Sequence, residues 1–142
     1  MKKDIEKTFA IIKPDGIKNI VDIISMIYSI GLRIDEYKIA TLDEEILREH
    51  YAHVVDKPFY PRLEEFMMSG KVVLMILSGE NAVVKLRCLM GPTDSKKADK
   101  NTIRGKYGTD ATINTIHGSD SKENAIIEIN RFFKNKVKKK TL

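Results

Sequence analysis

The sequence has 142 residues, 42% of them hydrophobic and 32% charged, with four prolines, eight glycines and a formal net charge of +5. That size and balance fit one folded domain with a real core, and exclude collagen-like, low-complexity and wholly disordered chains. No apolar run approaches the ~18 to 20 residues of a membrane helix, and the charged start MKKDIEKTF is unlike a signal peptide, which points to the cytosol. The single cysteine, Cys88, has no partner for an internal disulfide, and its place in LRCLM predicts a buried small hydrophobe. Charge is unevenly spread. Arg131, Lys134, Lys136, Lys138, Lys139 and Lys140 crowd residues 131–142 without an acid, which leaves 19 basic against 20 acidic side chains over 1–130. A near-neutral body argues against nucleic-acid binding, so the expectation is a folded domain over 1–133 and a solvated, mobile lysine tail over 134–142.

In chain order, Lys7–Lys13 (KTFAIIK) alternates and is β-branched enough for a strand, and PDG follows as a turn. Ile20, Ile23, Ile24, Ile27 and Ile30 then recur at helical spacing, with Gly31 placed to end the helix. LRIDEYKIATL reads as a second strand, Ile34, Glu36, Lys38 and Ala40 on one face against Asp35, Tyr37 and Ile39 on the other. A helix is expected from Thr41 to about His53, with carboxylates in its first turn where the helix dipole favours them. Another follows Pro58 and ends at Gly70. KVVLMILSG is apolar enough for a central strand buried on both faces. NAVVKLRCLMG predicts a helix, Pro92–Asn101 a polar loop long enough to suggest a functional role, TIRGKYG a short turn or helix, TINTIH a last strand, and SKENAIIEINRFF a final amphipathic helix. There is no internal repeat. Strands interrupted by helices predict an α+β fold: a ferredoxin-like βαββαβ sandwich, with a four-stranded antiparallel sheet, helices on one face and a long inserted loop.

No glycine-rich phosphate loop is present, so phosphate recognition would use side chains such as Lys13, Arg87, Thr93 and Arg104. Each is also compatible with an ordinary solvated or structural role. His50 and His53, three residues apart on an expected helix, could share a metal but lack a third ligand at suitable spacing, which favours structural or surface roles. His117 ends a strand beside Gly-Ser-Asp-Ser, a sequence suited to a tight turn into a helix. The helix amino terminus favours an anion there, and an imidazole of ordinary pKa, ~6.5, is largely neutral and nucleophilic at pH 7. Locally, a strand-end histidine and a catalytic one remain equally open.

The segments IIKPDG (Ile11–Gly16), EHY (Glu49–Tyr51), KPFY (Lys57–Tyr60), TIRG (Thr102–Gly105) and IHGSDS (Ile116–Ser121) occur in one order. Together they resemble nucleoside diphosphate kinase over almost the whole chain, up to the lysine tail. The resemblance implies a catalytic domain over 1–133 and an enzyme that moves the γ-phosphoryl group of a nucleoside triphosphate, typically ATP, to a (deoxy)nucleoside diphosphate. The transfer is ping-pong, through a phosphohistidine on His117. It implies Glu128 as the acid that orients the imidazole and Ser119 as support for the histidine turn. Tyr51 and Lys13 would stand near the transferring group, and Arg87, Thr93 and Arg104 would clamp the phosphates. Lys13 and Asn114 would reach the sugar hydroxyls, and the base would stack on Phe59 beside Leu63. Stacking ignores base-edge patterns, so broad base acceptance is expected.

Magnesium would be held mainly by nucleotide phosphates and water, with no assigned protein ligand. Family members form hexamers or tetramers, so a homo-oligomer is expected. The chain departs from the family pattern after Gly16, where KNIVDI lacks an arginine and two glycines and is about two residues shorter. Lys106 stands in place of an acid, and Ile113 in place of an arginine. An alternative reading keeps the fold but assigns a regulatory or scaffolding protein whose basic tail binds an anionic partner.

Overall fold

The computed structural model describes residues 5–135. Strands β1 (Glu6–Ile12), β2 (Arg33–Ala40), β3 (Val72–Gly79) and β4 (Ile116–Gly118) form one antiparallel sheet in the order β2-β3-β1-β4. Helices α1 (Ile20–Ser29), α2 (Glu44–His50), α3 (Tyr60–Met68), α4 (Ala82–Met90), α5 (Ile103–Tyr107) and α6 (Lys122–Ile129) connect and cover it. This is the expected ferredoxin-like arrangement, with α2 and α3 inserted between β2 and β3, and α5 before β4.

The helices cover both faces of the sheet rather than one. Phe9 and Ile11 of β1 pack with Ile46, Leu47, Leu63, Met67 and Phe132, whereas Ala10 and Ile12 pack with Ile23, Ile27, Leu86 and Met90. The reason is visible in β3, where all eight residues are buried: a strand that apolar needs cover on each side. The isoleucines of α1 give up a few tenths of a kcal/mol each in helix propensity, but burying Ile23 and Ile27 returns about 1.5–3 kcal/mol apiece. Gly31, at φ +86°, follows the helix as expected.

Four features differ from expectation, each for a physical reason. In β2, Asp35 is an extra residue between the pairs Ile34↔Leu77 and Glu36↔Ile76, so the alternation shifts and Ile34 shares a face with Tyr37 and Ile39. Helix α2 stops at His50, and His53 falls in a separate 3-10 turn, Ala52–Val54. The last strand is only Ile116–Gly118, because Thr112 and Ile113 donate their backbone N–H groups to the Asp110 carboxylate and Thr115 turns to φ +75°. Cys88 is exposed, not buried: the inward positions of α4 are Ala82, Val83, Leu86 and Met90, and Cys88 lies two residues, or about 200°, beyond Leu86. Beyond α6 the chain continues as a π-helical stretch, Asn130–Asn135; the rest of the lysine tail lies outside the described residues.

The shortened segment after Gly16 belongs to a 3-10 helix, Pro14–Asn19, that runs directly into α1. A Cβ on Gly16 would lie 2.9 Å from both Ile12 and Thr115, so glycine is required for this close approach. Lys106 donates to Asp22 at 2.8 Å, and Tyr107 OH donates to the same oxygen. The basic residue at 106 therefore ties α5 to α1 within the chain.

Candidate active site

A cavity of about 500 Å³ opens where the ends of β1 and β4 meet α2, α3, α4 and α6. The antiparallel register sets His117 opposite Ile11, and Lys13 lies just beyond the end of β1. The turn reinforces this pairing: Lys13 N–H donates to Thr115 O at 2.8 Å, and Ser119 N–H to Phe9 O at 3.1 Å. Lys13, Tyr51, Phe59, Leu63, Arg87, Thr93, Arg104, Asn114, His117 and Glu128, from eight separate segments, all line the cavity. Ser119, the remaining expected site residue, is fully buried and acts from below the cavity wall.

His117 Nε2 lies 2.9 Å from Glu128 Oε1, and Ser119 Oγ donates to the same oxygen at 2.5 Å. Glu128 is available because α6 is launched from the turn at once: Ser121 caps it, accepting from Asn124 N–H. Burial pushes the Glu128 carboxyl upward, but the hydrogen bond and charge of His117 and the bond from Ser119 outweigh it, holding the group below the usual range. An ionised Glu128 makes Nε2 the protonated ring nitrogen and leaves the lone pair on Nδ1.

The cations are arranged with little compensation. Lys13 Nζ donates to Asn114 Oδ1 at 2.7 Å, while Asn114 Nδ2 donates to the carbonyls of Thr93, at 2.9 Å, and Ala111, at 3.1 Å. Burial and then repulsion from Arg104 lower the Lys13 ammonium to about 7, against a smaller opposing pull from Asp15. Burial and the nearby Arg87 lower Arg104 to about 10. Arg104 spends two donors on Gly91 O and Ile116 O, which fixes its plane, but its Nε has no partner among the described residues. Tyr51 OH is likewise buried without a partner among the described residues, and burial, followed by the charge of Glu128, raises its pKa, so it stays protonated. Cations crowded around one cavity, with Arg104 and Tyr51 among the residues that line it, form a preorganised site for a polyanion. Phe59, half exposed, and buried Leu63 on α3 face the cavity from one wall, with Ala111 lining another part of it.

Several participants escape sequence reasoning. His50 is buried, its ring centroid 4.7 Å from that of His117 and nearly perpendicular to it. Its Nδ1 accepts from Arg131 Nη1 at 2.8 Å, and Arg131 also donates to Glu49. The EHY motif marks His50, but its reading as one of a metal-binding pair with His53 gives no hint of this contact; Arg131 is hidden by the charge of the tail. His53 is exposed and lines the same cavity, and it is not in the group formed by His50, His117 and Glu128.

Ligand atoms of His50, His117 and Glu128 fall within 4.8 Å of one another, close enough for a metal. Charge argues against it, because Arg131 occupies His50 Nδ1 and Lys13 adds a further positive field. The cavity acids are also committed: Glu128 to His117 and Ser119, Glu49 to Arg131, Asp120 to Asn124. The donor set suits a divalent ion carried in by phosphates better than one caged by carboxylates.

A family model for nucleoside diphosphate kinase matches residues 6–137. The nucleoside diphosphate kinase of Wolbachia sp. subsp. Brugia malayi is 49% identical over 131 residues, covering 91% of this chain and 94% of the relative. That of Natronomonas pharaonis is 44% identical over 133 residues, covering 92% and 87% respectively. The solved structure of a halophilic nucleoside diphosphate kinase from Halobacterium salinarum in complex with CDP aligns with a TM-score of 0.87 at 39% identity, covering 98% of this chain and 95% of that one. The chain belongs to the nucleoside diphosphate kinase family, phosphotransferases that move the terminal phosphoryl group of a nucleoside triphosphate to a nucleoside diphosphate.

Proposed function

We propose that this kinase carries the phosphoryl group on His117 Nδ1. The observation that supports this most directly is the 2.9 Å contact between His117 Nε2 and Glu128, beside a cavity of under-compensated cations. The Nδ1 lone pair attacks the γ-phosphorus in line; an N–P bond forms as the bond to the β-phosphate oxygen breaks, its electron pair leaving with the nucleoside diphosphate. Nε2 keeps its proton throughout, and Glu128 neutralises the charge that develops on the ring. A second nucleoside diphosphate then takes the phosphoryl group through its terminal oxygen, restoring the lone pair.

Arg87, Arg104 and Thr93 hold the phosphates, with Tyr51 donating to the group in flight. Lys13 and Asn114 serve the sugar end and the neighbouring phosphates, and Phe59 with Leu63 supports the base. Mg2+ would be held by the nucleotide phosphates and would neutralise charge there, a reading that the committed carboxylates of the cavity support. The CDP named in the Halobacterium salinarum complex fits a pyrimidine diphosphate among the substrates. Among the described residues no helix is long and apolar enough to cross a membrane, and a cytoplasmic setting suits these substrates.

A homo-oligomer, hexamer or tetramer, is supported by an apolar groove of about 440 Å³ beside edge strand β2, where Tyr28 and Tyr37 are more than half exposed. Incubation with γ-labelled ATP and Mg2+ should give acid-labile, alkali-stable label on the protein. His117→Asn should abolish both label and turnover; labelling at the wild-type rate would refute the assignment.

A further inference from the structure

The two walls near the proposed base position are joined by a contact that the phosphoryl chemistry does not use. Arg62 is the neighbour of Leu63 on α3 and lies one helical turn from Phe59; Asp110 is the neighbour of Ala111. Arg62 Nη2 donates to Asp110 Oδ2 at 2.9 Å. We propose that this ion pair latches the base end of the nucleotide cleft, making Arg62 and Asp110 positioning residues for nucleoside binding.

The Asp110 end of the latch is rigid. Its other oxygen, Oδ1, accepts the backbone N–H groups of Thr112 at 2.9 Å and Ile113 at 2.8 Å, and its carbonyl accepts from Ser95 N–H. The loop so organised runs directly into Asn114, which holds Lys13 and Thr93. Asp110 thus belongs to the fixed wall of the site. The other wall, α3, carries Phe59 and Leu63 and is held to α2 by Glu64, which accepts from Arg48 at 3.0 Å. Without Arg62, this helix loses a polar tie to the phosphate side of the cavity.

A slot held at working width loses less freedom when a base enters, which tightens binding without altering the reacting atoms. The Arg62 side chain is 57% exposed and that of Asp110 22%, so the effect is modest and screened by salt. Donor and acceptor nucleotides use one site in turn, so both should feel the latch equally.

The inference rests on the proposed base position at Phe59, and the test separates the two. Steady-state kcat and KM for nucleoside diphosphates are measured at low and high salt for Arg62→Ala, Arg62→Glu, Arg62→Lys, Asp110→Asn and the Arg62→Ala/Asp110→Asn double variant, alongside Phe59→Ala. Phosphorylation of His117 by phosphoramidate supplies a base-free readout. Arg62→Ala should raise KM about two- to fivefold, Arg62→Glu more, and Arg62→Lys should recover most of the loss. Asp110→Asn should add little to Arg62→Ala, with kcat and the phosphoramidate rate unchanged and the KM differences shrinking at high salt. A raised KM in Phe59→Ala with wild-type KM in Arg62→Ala and Arg62→Glu would overturn the latch alone. Unchanged KM in Phe59→Ala would remove the base position and the latch with it.

Discussion

Glu128 Oε1 accepts from Ser119 at 2.5 Å and lies 2.9 Å from His117 Nε2, so one oxygen fixes the imidazole and is itself fixed. Glu128→Gln keeps the size and removes the charge that balances the phosphorylated ring. Turnover should fall at least about tenfold, and Ser119→Ala, which leaves the His117 contact in place, should lose less. Rapid-quench measurement of phosphohistidine formation checks the order; a larger loss in the serine variant would reverse the roles assigned to the pair.

Tyr51 offers a test that separates binding from folding. Its buried hydroxyl has no partner among the described residues, so Tyr51→Phe removes an unsatisfied donor and should leave the unfolding free energy equal or slightly higher. Activity should nonetheless drop, by roughly three- to tenfold for one neutral hydrogen bond. Loss of stability in step with activity would mean that the hydroxyl is structural.

Nucleotide binding should take up protons. Lys13 titrates near about 7 in the free protein, lowered by burial and Arg104, so at pH 8 it is mostly neutral. A triphosphate beside it favours the cation and raises its pKa, hence uptake of up to one proton between pH 7 and the raised value. Calorimetry in buffers of different ionisation enthalpy reads this directly. Lys13→Met should abolish the uptake; the same uptake in that variant would assign it to another group.

His50 makes the protein sensitive to mild acid. Burial, then His117, Arg131, Lys13 and His53, hold its pKa well below 6.5, whereas the unfolded chain accepts a proton near the ordinary value. The unfolded state therefore binds more protons once the pH falls below ~6.5, and stability declines by up to about 1.4 kcal/mol per pH unit from this group. His50→Gln can still accept from Arg131 but does not titrate, so urea unfolding between pH 5 and 6.5 should show a shallower slope. An unchanged slope would clear His50.

The element order could be read from the sequence because its signals are intrinsic: the continuous apolar run of β3, the isoleucine stripe of α1 and the capped start of α6. The site was legible for a different reason. Lys13, Tyr51, Arg104 and His117 sit in short motifs that the family resemblance places together, although their joining depends on the pairing of Ile11 with His117, which no local pattern encodes. Most of what stayed hidden depends on contacts across the chain. The Asp35 bulge is fixed by pairing with β3 and His50 by a partner 81 positions away, whereas the short last strand follows from a local turn, in which the Asp110 carboxylate accepts from N–H groups two and three residues on. Cys88 was misplaced because an apolar neighbourhood in sequence says little about which side of a helix a residue occupies.

The brevity of β4 governs how the enzyme should fail. Three residues give a meagre ladder, yet the strand is pinned at both ends to the β1 side, through Lys13 to Thr115 and Ser119 to Phe9. β1 lies in the interior of the sheet, so His117 cannot peel away with an edge element without disturbing the middle of the core. Loss of activity on heating should therefore coincide with collapse of the whole domain, and the backbone amide of Ser119 should exchange with solvent as slowly as the most protected amides of β1.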